Sequence, residues 1–168
     1  MANNIEIKAR INDFNKIIEK VEQIHTDGPV ILEQEDIFYR CPFGRLKLRI
    51  FKDKNSELIY YRRPDQTGPK NSLYYILRIS KPELVNSLLS VFPGRRGVIK
   101  KTRKVYFVEN TRVHLDEVEN LGKFLELEVV LKPGNSADEG IRTAEKLMEH
   151  LEINKENLID KAYIDLLK

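Results

Sequence analysis

Five stretches of this chain alternate charged and aliphatic side chains with a period of two, and no other feature restricts the fold as tightly. In Asn4-Ile5-Glu6-Ile7-Lys8-Ala9-Arg10 the charged groups share one face and the aliphatic ones the other. Arg45, Lys47 and Arg49 lie opposite Leu46, Leu48 and Ile50. Lys101 and Arg103 share a side, as do Arg112, His114 and Asp116 opposite Val113 and Leu115. Glu126 and Glu128 oppose Leu125, Leu127 and Val129. Side chains two apart on a strand point the same way, so each set converges. An ordinary amphipathic strand turns its charges to water. Helices wrapped around a barrel would reverse that. The aliphatic faces would pack outward under the helices, and the charges would meet inside. A charged interior is tolerated only if the charges pair or hold a charged ligand.

The same pattern sets the elements. Residues 3–10 read as a strand, and Phe14, Ile17, Ile18, Val21 and Ile24 stripe a helix over 13–25. Asp27, Gly28 and Pro29 read as a loop. Further strands are predicted over 33–41, 44–51, 57–63, 73–80, 97–108, 111–118 and 123–132. Turns are expected at Pro42 to Gly44, Asp53 to Ser56, Asn110, and Asn120 to Gly122. A helix over 82–92 interrupts the series, and Ser136 with Glu139 has the spacing of a capping box opening another. About eight strands with few helices suit an α+β, mainly β chain: a closed eight-stranded antiparallel β-barrel with flanking helices. One domain over residues 1–168 is expected.

Charged residues make up 33% of the chain, yet the net charge is only +3. Bulk charge therefore argues against an extended nucleic-acid groove. The single cysteine, Cys41, cannot form an internal disulfide and suits a reducing compartment. No apolar run approaches the ~20 residues needed to span a bilayer. A cytoplasmic protein with no membrane partner is expected, and a homodimer is allowed. A polyphosphate with a divalent metal fits the mixed charges: Arg and Lys bind phosphate oxygens, and paired carboxylates coordinate Mg²⁺ or Mn²⁺. His114 shares the Arg112/Asp116 face and is either an acid/base group or simply hydrogen-bonded. Tyr163 reads as a core or lid aromatic.

These residues resemble the CYTH superfamily, the triphosphate tunnel metalloenzymes. Asn4-Ile5-Glu6-Ile7-Lys8 is similar to its Glu-x-Glu-x-Lys signature. Gly44 to Arg49 resembles its basic strand, and Leu58 to Pro64 a strand ending in a basic residue and Pro. The most specific likeness joins Leu115-Asp116-Glu117-Val118 to Leu121-Gly122 and Phe124-Leu125-Glu126-Leu127-Glu128. Tyr163-Ile164-Asp165-Leu166-Leu167 resembles the end of the class IV adenylyl cyclase-like branch. The resemblance implies Mg²⁺ or Mn²⁺ at Glu6, Glu126, Glu128 and Asp116. It implies triphosphate binding by Lys8, Lys47, Arg49, Arg62, Lys101 and Arg103. Catalysis would rest on Glu6, Lys8, Glu126 and Glu128. The substrate would be ATP, thiamine triphosphate or tripolyphosphate, cyclised or hydrolysed, with triphosphate binding without turnover as the alternative. Asn4 replaces the signature's first Glu and keeps a carbonyl oxygen but no charge. Arg63 stands where the family often has Gly.

Overall fold

The computed structural model describes residues 2–52, 55–132, 134 and 136–167. The expected turn at Asp53 to Ser56 lies partly outside them. Eight strands form the scaffold: β1 (Ala2–Arg10), β2 (Asp27–Tyr39), β3 (Arg45–Phe51), β4 (Ser56–Arg62), β5 (Lys70–Ile79), β6 (Arg95–Val108), β7 (Thr111–Val118) and β8 (Gly122–Val130). They close in the order β1-β5-β4-β3-β2-β6-β7-β8, every pair antiparallel. Four α-helices flank them among the described residues: α1 (Phe14–Glu22), α2 (Pro82–Leu89), α3 (Ala137–His150) and α4 (Tyr163–Leu166).

The apolar core lies outside the barrel wall. Ile5, Ile7, Val113, Leu115, Leu125 and Leu127 face outward and pack with Phe14, Ile17 and Val21 of α1 and Ala144 and Met148 of α3. Val85 and Leu89 of α2 cover Ile37, Tyr39 and Leu48 in the same way. Burying such side chains is worth roughly 1.5–3 kcal/mol each, so the helices hold the aliphatic faces out and leave the charged faces to the lumen. Asp13 caps α1 by accepting from the Lys16 amide at 3.0 Å, and Ser136 and Glu139 form the capping box that opens α3.

Four boundaries differ from expectation by three residues or more. α1 ends at Glu22, short of the expected residue 25. β2 starts at Asp27, so the segment read as a loop belongs to the strand. Its pairing with β6 shifts register between Asp27 and Val30, the bulge that accommodates Gly28 and Pro29. β5 starts at Lys70, which pairs with Glu6 of β1, and the buried Lys70 ammonium donates to the carbonyls of Gln66 and Ile159. α2 ends at Leu89, and Phe92 is extended at φ −145° because Pro93 follows it.

Candidate functional site: a charged tunnel

The barrel encloses a cavity of about 470 Å³, inside the range of small-ligand pockets. Seven Lys and Arg side chains line it against four carboxylates, with Asp116 buried behind Lys101 and Arg103 as a fifth. One end is plugged by the segment leading into α4. The Ile159 amide donates to the Lys8 carbonyl, and Ala162 and Tyr163 form the floor. At the other end Val30, Phe51, Ile76 and Phe107 form an apolar rim, with Val30 and Ile76 41% and 50% exposed.

Within the tunnel the cations are held by fixed carboxylates. Asp36 of β2 accepts from Lys47 Nζ at 2.9 Å and from Arg49 Nε and Nη2 at 2.7 and 2.9 Å. Burial raises the Asp36 pKa, but Arg49 and Lys47 outweigh it and hold the group well below the usual range. Burial, with Arg49 beside it, lowers Lys47 to about 8. Asp116 accepts from Arg103 Nε and Nη2, both at 2.6 Å, and from the Tyr163 hydroxyl at 2.9 Å. Burial, with Arg103 beside it, lowers Lys101 to about 7, although its ammonium lies 3.4 Å from Asp116. An excess of cations that burial is already driving toward deprotonation favours an anionic guest, which restores the balance.

The remaining carboxylates face one another across β1 and β8, with His114 of β7 beside them. Arg103 Nη2 donates to Glu126 Oε2 at 2.8 Å, and Lys8 Nζ is 3.5 Å from Glu126 Oε1. Arg112 Nε and Nη2 both donate to Glu128 Oε2. Burial raises the Glu126 and Glu128 pKa values. Lys8 and His114 lead the opposing effects at Glu126, and His114 and Arg112 at Glu128, so both stay below the usual range. Ligand atoms of His114, Glu126 and Glu128 all lie within 4.8 Å of one another. His114 Nδ1 and Glu6 Oε1 are buried without a hydrogen-bond partner. Oxygen-rich donors with orphaned lone pairs fit a divalent cation.

Glu6 is the outlier. Burial, and then Glu126, push its pKa from 4.5 up to about 7, against the pull of Lys8 and Arg63. A folded pKa above the unfolded one means that the native state keeps a proton which the unfolded chain releases. Stability from this group is present below pH 4.5 and is lost as pH rises through about 7. Glu6→Gln should therefore raise the melting temperature of the metal-free protein. The gain over wild type should be near zero at pH 4.5 and reach up to about 3 kcal/mol above pH 7. A gain that is the same at pH 5 and pH 8 in thermal melts would contradict it.

Glu6, Lys8, Lys47, Arg49, Lys101, Arg103, Glu126 and Glu128 all point into the tunnel, where the alternating pattern puts them. Arg62 does not: it is exposed on the outer face, and this expectation is corrected. Ile59 and Tyr61 face inward on β4, so parity sends Arg63 into the lumen, with its Nε 3.5 Å from Glu6. Asp116 belongs to the floor, its two oxygens occupied by Arg103, Lys101 and Tyr163; the donor cluster takes His114 in its place. Arg63→Ala should weaken metal-free tripolyphosphate binding by about 10-fold or more, the scale of one charged hydrogen bond. Arg62→Ala should leave it within about twofold. Calorimetry decides, and equal effects would remove the distinction.

The CYTH domain pattern matches residues 2–163. MJ0240 of Methanocaldococcus jannaschii, which carries a provisional adenylate cyclase name, is 28% identical over 96% of this chain and 97% of its own. The PH1012 protein of Pyrococcus horikoshii superposes with a TM-score of 0.87 at 27% identity, covering 98% of this chain and 99% of the other. HpAC1 of Hippeastrum, a provisional adenylyl cyclase with a dominant triphosphatase activity, shares the fold with a TM-score of 0.64 at 15% identity, covering 96% of this chain and 91% of its own. No helix among the described residues is long and apolar enough to cross a membrane. A closed eight-stranded barrel with a charged lumen and a family pattern spanning nearly its whole length leads to one assignment: this chain belongs to the CYTH domain family.

Proposed function

We propose that this chain is a metal-dependent enzyme acting on the triphosphate of an organic molecule bound in the tunnel. The observation that carries this reading is the buried excess of cations beside a carboxylate–imidazole cluster. Lys47, Arg49, Arg63 and Lys101 bind the phosphate oxygens, and Glu126 and Glu128 hold a Mg²⁺ or Mn²⁺ ion. The ion, when bound, neutralises charge that develops on the phosphates. Lys8 and Arg103 orient Glu126. Glu6, with a carboxyl near neutrality and an oxygen that accepts no hydrogen bond, takes the proton from the attacking hydroxyl or water. The apolar rim supports an organic substrate, since it gives a base or ring somewhere to leave water.

Two reactions share this machinery. In a cyclase a ribose 3′-hydroxyl attacks the α-phosphorus and pyrophosphate leaves; in a hydrolase water attacks the terminal phosphorus and orthophosphate leaves. The provisional name of MJ0240 supports the first, and the triphosphatase activity of HpAC1 the second. The test is a product-resolved assay with ATP, thiamine triphosphate and tripolyphosphate, each with Mg²⁺, Mn²⁺ or a chelator. Cyclic AMP with pyrophosphate identifies the cyclase, and orthophosphate the triphosphatase. Tight binding without product would overturn the enzyme reading and point to Asn4 as the missing charge. Fastest turnover of tripolyphosphate would remove the organic group.

A further inference from the structure

His114 is the one nitrogen donor of the cluster, and it is flanked by the carboxylates of Glu126 and Glu128. It lies on β7 directly opposite Glu126 on β8, and it is 4% exposed. Its Nδ1 has no hydrogen-bond partner. That atom is 3.9 Å from Glu126 Oε2 and 3.9 Å from Glu128 Oε1. Both separations are too long for a hydrogen bond. Two ligands of a six-coordinate ion with bonds of about 2.1 Å stand ~3.0 Å apart when adjacent and ~4.2 Å apart when opposite. At 3.9 Å both oxygens stand about 0.9 Å wider than adjacent ligands, so an ion held by all three groups would draw them together. Arg112 Nε and Nη2 both donate to Glu128 Oε2, and Glu128 Oε1 lies toward the imidazole. A buried nitrogen left without a partner costs about 1–3 kcal/mol unless something fills the gap.

We propose that His114 is a metal ligand through Nδ1. With Glu126 and Glu128 it makes a mixed nitrogen–carboxylate site that selects a first-row transition ion such as Mn²⁺ over Mg²⁺. The inference rests on the metal-dependent reading of the tunnel and deepens it. Mg²⁺ takes oxygen ligands and gives up its water reluctantly, so an imidazole contributes little to holding it. Imidazole nitrogen binds transition ions more strongly, and carboxylates accept Mn²⁺ as readily as Mg²⁺. Asn4 strengthens the case: the position that is a carboxylate in the Glu-x-Glu-x-Lys signature is here a neutral amide lining the tunnel. One hard anionic donor is therefore fewer, and the nitrogen weighs more in the choice of ion.

The full-length protein is titrated with Mn²⁺ and with Mg²⁺ by calorimetry, with and without tripolyphosphate. Pulsed electron paramagnetic resonance on the Mn²⁺ complex reads coupling to ¹⁴N. The wild type is expected to show imidazole nitrogen coupling. His114→Asn should lose that coupling and about 10-fold or more in Mn²⁺ affinity, against less than about threefold for Mg²⁺. If Mn²⁺ binds the wild type without nitrogen coupling, His114 is not a ligand and the inference fails, while the tunnel's metal dependence stands. An unchanged Mn²⁺-to-Mg²⁺ ratio in a folded His114→Asn protein overturns the selectivity in the same way. If neither ion binds the wild type under any condition, the proposed function itself fails. Should His114→Asn not fold, the wild-type spectrum alone decides ligation.

Discussion

Arg103→Met should cost about 3–5 kcal/mol of folding free energy, the scale of stripping one partner from a buried ion pair. The guanidinium is 4% exposed and reaches three carboxylate oxygens: both of Asp116 and Oε2 of Glu126. Met fills similar volume but leaves those carboxylates facing one another. Asp116 keeps Tyr163 and Lys101, and Glu126 keeps Lys8, so the chain is weakened rather than left with isolated charges. Domains hold only about 5–15 kcal/mol in total, so the loss should move the urea midpoint visibly. Adding Asp116→Leu to the variant should recover part of it, because the unpaired anion goes too. A loss below about 1 kcal/mol would mean that water reaches the floor and screens the pair.

Glu128→Gln should lower kcat by about 10³-fold, equivalent to the several kcal/mol that a bound ion supplies to a phosphoryl transition state. It should leave metal-free triphosphate binding intact or tighter, since it removes one negative charge from a lumen already rich in cations. Glu128 is the carboxylate most open to the lumen among the donor cluster, its side chain 19% exposed against 9% for Glu126, so Gln fits without burying a new polar group. Single-turnover kinetics beside calorimetry separates the two effects. A variant that keeps more than about a tenth of wild-type kcat would show that the metal does not depend on this oxygen pair.

The inward charge was legible wherever strict alternation runs through a strand. β1, β3 and β8 each pair aliphatic residues on one parity with charged ones on the other, and the helices take the aliphatic side. β4 carries no such signal. Leu58, Ile59, Tyr60 and Tyr61 are apolar on both parities, so nothing local says whether Arg62 or Arg63 turns inward. Only the closure of the barrel decides it, by drawing Ile59 and Tyr61 into the lumen. Lys70 is hidden for a related reason: its ammonium is satisfied by the carbonyls of Gln66 and Ile159, the latter 89 residues away. Asp36 stands between Glu35 and Ile37 like any polar strand residue, and its cations come from β3 and β6. His114 was visible on its face, but its orphaned nitrogen exists only once β7 and β8 are aligned.

Strand closure also sets how late in synthesis the barrel can be completed. β1 pairs on one side with β5 and on the other with β8, where Lys8 meets Glu126. At roughly 5–20 residues per second of synthesis, β1 waits many seconds on the ribosome for its second neighbour. Through that interval its outer edge stays open, and Glu6 and Lys8 sit on a sheet that has no inside. Such long-range pairing makes for slow folding, in the millisecond-to-second range, and leaves a nascent chain dependent on whatever shields bare edges. The tunnel therefore comes into being in one late step, when the last strand arrives, and the acidic half of the cluster arrives with it.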